Sequence, residues 1–369
     1  MADMVSPPAS MKAHGWRGDY RPHGHLSAQN VLNALIATVC MAPSVWAAVE
    51  RARCASAADP SPAGGGGAFS VHGWCEMALH RPLLSANWLF LWNVTVGFWL
   101  VGLLQRSFWL IDPYWTLLPP LLGAFYASHP HADPPCVSRL RAALALVSLW
   151  SARLTHSYFR REEWKFGQRE DWRYSQMAER NPRLWWVLSF FAVGLAQQPM
   201  LVGLTLPLYA AALGHRSLPM AGGAPAALSW CWLDSLGCVG CVCGLLLAKS
   251  ADDQLATFMA ANQARVASGQ SRVRLLDTGL WRFSRHPNYL GETIFWASLG
   301  LFGCASGHWW VLCGVAFNTL VLISVTFMTE QRMLARPERR EDYMRYMRTT
   351  SAWIPLPKFR DRATNSKRE

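Results

Sequence analysis

Long apolar runs constrain this chain more than anything else in its 369 residues. The last two show the pattern most clearly. Tyr289 to Cys304 and Trp309 to Thr329 are almost unbroken apolar sequence, separated by a tight turn around Ser306-Gly307. A backbone in hydrocarbon must satisfy its own hydrogen bonds, so runs of this length fold as membrane-spanning helices. Earlier runs read the same way: Val31 to Ala48, kinked at Pro43; Ser85 to Leu104; Tyr114 to Tyr126, interrupted by Pro119-Pro120; and Leu140 to Phe159. Leu184 to Leu213 is one tilted or Pro199-broken span, and Leu228 to Ala248 is another. Trp and Tyr gather at the run ends, as interfacial aromatic belts do. The expected fold is all-α, a polytopic transmembrane helical bundle of seven or eight spans ending in a C-terminal helical hairpin.

Composition matters here mainly for what it excludes. A formal charge of +12 would hint at nucleic acid in a soluble protein, but half the residues are hydrophobic and only 16% are charged. The basic residues sit in polar segments between spans, so they meet lipid headgroups and set orientation, and no nucleic-acid partner is expected. Three basic segments, 160–183, 252–288 and 330–369, are separated by an even number of spans if 184–213 crosses once. They then share one side of the membrane, and the positive-inside rule makes it the cytosol. The ten cysteines form no metal pattern, so no metal is expected. Most lie inside apolar runs, and Cys241-Val242-Cys243 has the wrong spacing for zinc and no accompanying His. Cys54 and Cys75 flank a loop and could pair.

Four segments follow. Residues 1–29 lack periodicity and read as a disordered N-terminal segment, with no cleavable signal peptide because the first apolar run begins only at Val31. Residues 30–84 hold the first transmembrane helix and a Gly/Ala-rich loop, Ala63 to Ala68. Residues 85–357 form the membrane domain, and 358–369 a basic tail.

The chemistry is concentrated in Trp281 to Glu292, where Arg282, Arg285, His286, Asn288 and Glu292 precede the final apolar runs. Pro287 disfavours helix at His286, so a helix starts at or just after it. Arg285 and His286 then stand at a helix mouth, whose free N–H groups and dipole suit an anion such as phosphate. The other reading is a membrane-interface anchor. Asn288 and Glu292 are four apart and share a helix face. The topology gathers Asp252, Arg274, Arg285, His286, Asn288, Glu292 and Glu330 on one cytosolic surface. Such a set can hold a nucleotide: Arg on phosphates, carboxylates on ribose hydroxyls, the amide on a base or carboxamide. Glu292 and Glu330 lie at the same depth, either in that role or each in a structural ion pair with an Arg. No GxGxxG or Walker loop is present, so the site is neither of Rossmann nor of P-loop type. Arg153 and His156 inside an apolar run face a cavity or a partner, or Arg153 snorkels to the interface. The mixed-charge stretch Arg160 to Arg183 reads as an interfacial helix or a solvated connector.

At these residues the chain resembles a known family. Asp277-Thr278-Gly279-Leu280-Trp281 followed by Arg285-His286-Pro287-Asn288-Tyr289-Leu290-Gly291-Glu292 is similar to membrane proteins with a steroid 5-alpha-reductase C-terminal domain, most closely their DUF1295 branch. Further similar segments are Asp112-Pro113-Tyr114-Trp115-Thr116-Leu117-Leu118-Pro119, Trp150-Ser151-Ala152-Arg153-Leu154 with Glu170-Asp171-Trp172-Arg173-Tyr174, and Ala251-Asp252-Asp253-Gln254. The resemblance covers residues 90–356. It implies an intramembrane reductase that uses NADPH on a small lipophilic enone, typically a steroid or polyprenyl carbonyl compound, in an internal membrane such as the endoplasmic reticulum. Carried over by position, it implies cofactor contacts at Asp252, Arg274, Asn288 and Glu292, and by neighbourhood at Arg285, His286 and Tyr289. Glu330 falls near a position that is a histidine in the steroid reductases. The Glu and Tyr that polarise the substrate carbonyl there have no aligned counterpart here. The catalytic residues are therefore unassigned, with Tyr158, Tyr174, His156 and Asp112 as substitutes in principle.

Two other readings stay open. Methyltransferases of the isoprenylcysteine and phospholipid type, which use S-adenosylmethionine, end in a similar hairpin with an Arg/His-Pro-x-Tyr-x-Gly start. Thr329-Glu330-Gln331 lacks the paired Glu-Glu usual in those enzymes. The third reading is a catalytically silent membrane scaffold.

Overall fold

A computed structural model describes residues 23–56, 71–132, 134–217 and 229–355. Residues 1–22 of the expected disordered segment, the Gly/Ala-rich loop and the basic tail lie outside the described residues. Among those described, the regular elements are helices, with one isolated bridge between Ser284 and Ser351. Five helical stretches are long and apolar enough to cross a membrane: Ala28–Ser56, Pro82–Gln105, Trp185–Leu213, Trp232–Ala267 and Trp309–Leu334. The chain divides into two compact units, Met1–Cys231 with Phe302–Gly314, and Trp232–Leu301 with Val315–Glu369.

In the first unit, α1 (Ala28–Val39) and α2 (Ala42–Ser56) are separated by two residues just ahead of Pro43. That proline has no N–H for the Val39 carbonyl and its ring crowds it, so the expected kink becomes a break. Helix α3 (Val71–His80) leads into α4 (Pro82–Leu89), a π-helical stretch Phe90–Phe98, and α5 (Trp99–Gln105). Helix α6 (Ile111–Ala127) runs straight through Pro119 and Pro120, where an interruption was expected. Its neighbours α7 (Val137–Arg161) and α10 (Gln197–Ser217) pack on either side and hold it in place. Between them come α8 (Trp172–Arg180), α9 (Trp185–Ser189) and a second π-helical stretch, Phe190–Leu195. Pro199 falls in the first turn of α10, where a missing N–H costs nothing, and one turn residue, Ala196, separates α10 from the π-helical stretch before it.

Side-chain hydrogen bonds tie the two ends of this unit. At one end Asn33 donates to the Phe166 carbonyl at 2.7 Å and accepts from Gln105 at 3.2 Å, while Phe166 N–H donates to Asn30 at 2.8 Å. At the other, the Arg51 guanidinium donates to the Phe125 carbonyl at 2.7 Å and to Ser128 at 2.8 Å. His129 bonds the Ala78 carbonyl at 3.0 Å, and Cys54 and Cys75 form a disulfide. The pairing that the sequence left open is therefore made. Closing a loop of 21 residues restricts the unfolded chain by about 3 kcal/mol. A Cys54→Ser/Cys75→Ser variant is expected to melt several degrees below the parent in detergent, and reductant is expected to lower the parent's midpoint but not the variant's.

In the second unit, α11 (Trp232–Ala267) is 36 residues long and does not end near Ala248. It continues into the polar region and carries Asp252 as a helical residue. A short 3-10 turn, Gly279–Arg282, precedes α12 (Pro287–Ala305), which starts at the expected proline. Helix α13 (Leu312–Leu334) carries Glu330 within its last turns, and α14 (Pro337–Thr349) follows.

Candidate functional site

Helices α11 and α12 meet backbone to backbone. A Cβ on Gly244 would sit 2.6 Å from Phe295 N and 2.7 Å from Gly291 O, and one on Gly291 would sit 2.6 Å from Ala248 N. Gly240, Gly244 and Ala248 recur every four residues and so form one seam on α11. The next position in that series is Asp252. One turn before Gly291 on α12 lies the Asn288 region, and the seam brings the two side chains together: Asn288 Nδ2 donates to Asp252 Oδ1 at 3.2 Å. Asn288 Oδ1 is buried and meets no donor among the described residues. An unsatisfied buried amide oxygen costs about 1–3 kcal/mol, so it calls for a partner. Glu292 is half-buried one turn further along the same face.

Arg285, His286 and Glu330 form a separate knot. Glu330 Oε1 accepts from Arg285 Nε at 2.9 Å, from Arg285 Nη2 at 2.8 Å and from His286 Nε2 at 3.2 Å. Their side chains are only 9%, 7% and 11% exposed for Arg285, His286 and Glu330. The other arm of the Arg285 guanidinium donates to the carbonyls of Met347 and Thr350, capping the negative end of α14. Backbone N–H groups of Arg285 and His286 donate to Ser351 and Ala352, each at 2.9 Å. The helix-mouth N–H groups expected to be free for an anion at these two residues are thus spent on the returning chain. Tyr289 stacks on the His286 ring at 5.2 Å. Burial, and then the neighbouring Glu330 carboxylate, push the Tyr343 hydroxyl well above the usual tyrosine range.

Two of the motifs singled out in the sequence also pack on each other. Gln254 accepts from Leu280 N–H at 2.9 Å, and Trp281 Nε1 donates to the Ala251 carbonyl at 3.1 Å. Gly279 between them has φ +59° and lies so close to Gln254 Oε1 that a Cβ would come within 2.5 Å. Arg274 is engaged elsewhere, in an exposed ion pair with Asp342 of α14 at 3.4 Å. The eight residues expected to hold a cofactor therefore comprise the Asp252–Asn288 pair with Glu292, the Arg285–His286–Glu330 knot with Tyr289 against it, and Arg274 in its own contact.

The first unit holds a second polar cluster that the sequence did not single out as a unit. Glu162, Glu170 and Tyr174 are buried, although they lie in the stretch read as an interfacial helix or connector. Glu162 Oε2 accepts from Arg169 N–H at 2.8 Å, and Glu170 Oε1 from Phe108 N–H at 2.8 Å. Asp171 caps α8 by accepting from Arg173 N–H at 2.9 Å and binds the Arg173 guanidinium at 2.5 Å. Burial raises the Glu162 carboxyl, more than Arg161 and Arg169 lower it. Burial works to raise Asp171 as well, but Arg173 outweighs it and the carboxyl lies below its ordinary value. Burial, then Asp171 and Asp112, drive the Tyr174 hydroxyl far up. Of the sequence's substitute catalytic groups, Asp112, Tyr158 and Tyr174 are electrostatic neighbours in this cluster, whereas His156 is exposed and packs edge-on against Trp164. Beside the cluster the two π-helical stretches meet at a narrow apolar cleft lined by Val94, Phe98, Trp99, Phe108, Ile111, Val193 and Gly194.

Residues 98–350 match the DUF1295 family, described as proteins of unknown function. The chain belongs to the DUF1295 family. This family is a steroid 5-alpha-reductase-like branch, as the four sequence segments implied. An uncharacterized protein of Schizosaccharomyces pombe is similar, 28% identical over 218 residues, which is 57% of this chain and 61% of that protein. The chain thus spans about three fifths of the length of that relative. No solved structure matches. The DUF1295 segment includes both polar clusters: Asp112 to Tyr174, and Asp252 to Glu330.

Proposed function

We propose that this DUF1295 protein is an integral membrane oxidoreductase that uses NADPH to reduce a carbon–carbon double bond in a steroid- or lipid-like enone. The observation that carries the reading is Asn288: one end of its amide is held by Asp252, and the other is a buried acceptor awaiting a donor. The carboxamide of a nicotinamide is such a donor. Asp252 and Glu292 are carboxylates of the kind that accept ribose hydroxyls. These residues fit a dinucleotide, which when bound supplies a hydride to the β-carbon of the enone. Arg274, exposed beyond α11, is a candidate for its phosphates. The Arg285–His286–Glu330 knot fixes the start of α12, so that Asn288 and Tyr289 are held in a set orientation. In the first unit, taken by itself, burial raises both the Tyr174 hydroxyl and the Glu162 carboxyl, the direction required of a proton donor.

We further propose eight spans, with α6, α7 and α12 crossing in addition to the five long apolar helices, in an internal membrane such as the endoplasmic reticulum. Within the first unit, the basic segment 160–183 lies at the Asn33 end and the disulfide at the opposite end. Disulfides persist in oxidising compartments, so this arrangement supports a cytosolic basic end and a lumenal disulfide end.

The reading is tested by thermal shift of the detergent-purified chain with NADPH, NADH and S-adenosylmethionine. NADPH is expected to raise the midpoint, and Asn288→Ala to abolish that rise without loss of expression. Stabilisation by S-adenosylmethionine alone would instead sink the reductase reading and point to a methyltransferase, and no response to any of the three would favour a scaffold. An undiminished NADPH shift in Asn288→Ala would refute the site.

A further inference from the structure

At the disulfide end of the first unit, one buried imidazole joins the last turn of α3 to the turn that follows α6. His129 is only 4% exposed, and both of its ring nitrogens are engaged. Nε2 lies 3.0 Å from the Ala78 carbonyl, which can only accept, so that nitrogen carries the proton. Nδ1 lies 3.1 Å from the backbone N–H of His131, which can only donate, so that nitrogen is bare. The ring is neutral as long as both bonds stand. A second proton would go on Nδ1, face the His131 N–H and break that bond. The other bond matters because Ala78 lies four residues before Pro82, which has no N–H to offer its carbonyl. His129 supplies the missing donor. Three basic groups face the ring. Arg51 of α2 is itself buried, bonded to Phe125 and Ser128 and stacked 3.9 Å over the Phe125 ring. Exposed His131 stands edge-on to the ring at 5.3 Å, and exposed His80 of α3 lies 6.3 Å from His131. Glu50, beside Arg51 in sequence, turns to Arg53 at 2.6 Å, and Glu76 and Arg81 are exposed.

Burial is the largest influence on His129 and lowers its proton affinity; the charges of Arg51, His131 and His80 act in the same direction, against the Ala78 carbonyl. With the bonds broken, water reaches the ring and a second proton binds more readily. The closed form therefore keeps its full advantage above the ordinary histidine value of about 6.5 and loses it progressively as the pH falls below that. What the ring holds down is a strap. Helices α2 and α3 are joined covalently by Cys54–Cys75, Arg51 pins α2 to the end of α6, and His129 pins α3 to the turn after it. Release of His129 frees a helix end and a turn, and it breaks no hydrogen bond inside a helix.

We propose that His129, bridging Ala78 and His131, is an acid-released latch: it holds the disulfide-linked α2–α3 strap against the end of α6 at neutral pH and frees α3 when the ring takes a second proton. The latch is independent of any nucleotide or substrate. Hydrogen exchange, read by mass spectrometry on the full detergent-purified chain with its disulfide intact, tests it. Each rate is divided by the intrinsic rate at the same pH. Between about pH 7.5 and about pH 5.5, one unit below the ordinary histidine value, peptides covering 125–132 are expected to exchange up to about tenfold faster. Peptides within α11 are expected to keep their protection over the same range. His129→Gln, which stays neutral and can still donate to the Ala78 carbonyl, is expected to lose the acid dependence. His80→Gln/His131→Gln replaces only exposed rings and leaves both latch bonds, since His131 acts there through its backbone. It is expected to keep the thermal midpoint at neutral pH and to show a smaller acid response, so it carries the test if His129→Gln fails to fold. Corrected exchange at 125–132 that does not change with pH, an equal rise within α11, or an undiminished acid response in the folded variants would overturn the proposal.

Discussion

Replacing Glu330 by alanine is expected to lower the thermal midpoint more than any other single change near the hairpin, by the equivalent of about 3–5 kcal/mol. The reason is what the substitution leaves behind. Glu330 Oε1 receives both arms of one face of the Arg285 guanidinium and the His286 ring, and all three side chains are at least about nine-tenths buried. Without the carboxylate, Arg285 remains a buried cation left with uncharged partners, among them the carbonyls of Met347 and Thr350 and the Tyr343 hydroxyl. Those carbonyls solvate it in part, but they carry no full charge. Glu330→Gln keeps an oxygen acceptor and is expected to lose less than Glu330→Ala. Because the knot ties the start of α12 to α13 and to the chain after α14, limited proteolysis near Ser351 is also expected to accelerate. An alanine variant that melts with the parent would remove the knot's structural role and return Glu330 to the pool of ligand-binding residues.

Gly244→Val is expected to be nearly as damaging, at about 3 kcal/mol, and to abolish any NADPH response as well. A side chain there meets the Phe295 nitrogen and the Gly291 oxygen, and backbone atoms cannot rotate away as a side chain can. Helices α11 and α12 must therefore move apart, and the Asp252–Asn288 hydrogen bond at 3.2 Å, two turns along the same seam, is lost with them. The two variants differ in their pattern. Gly244→Val couples stability to the response, whereas Asn288→Ala removes the response with little change in stability. A Gly244→Val protein with parental midpoint and parental NADPH response would mean that the seam does not position the pair.

The comparison of expectation with structure turns on a few residues. Pro287 marked the start of α12 correctly, because proline's fixed φ and missing N–H act locally and need no tertiary context. Pro43 interrupts its run where a kink was expected, whereas Pro119-Pro120 were misjudged, since whether a proline breaks a helix or is carried through depends on what packs around it. The seam was legible in principle: Gly240, Gly244, Ala248 and Asp252 recur every four residues, a small-residue spacing known from membrane helix pairs. It was overlooked because Leu228 to Ala248 was read for its apolar length alone, and the span was ended at Ala248, one turn short of Asp252. The buried cluster of Glu162, Glu170 and Asp171 was hidden for another reason. Six charged side chains in the ten residues 162–171 look solvated until Arg169, Arg173 and Phe108 N–H are seen to satisfy the three acids.

By itself the sequence determined that this is an all-helical membrane protein, where its apolar runs lie, and that it is a member of the DUF1295 branch. Hydrophobic length, proline and the order of motifs are properties of the chain alone, and a bilayer leaves an apolar run no alternative to a helix. Only the tertiary structure decided how the polar residues divide. The stretch Arg285 to Glu292 contains five hydrogen-bonding side chains, and the sequence offered all of them as cofactor contacts, Asn288 and Glu292 by position and Arg285, His286 and Tyr289 by neighbourhood. In the folded protein Arg285 and His286 are consumed by Glu330, Met347 and Thr350, whereas Asn288 keeps one buried oxygen unclaimed. The difference is set by partners 44 to 65 residues away, and no local pattern encodes which of them will arrive.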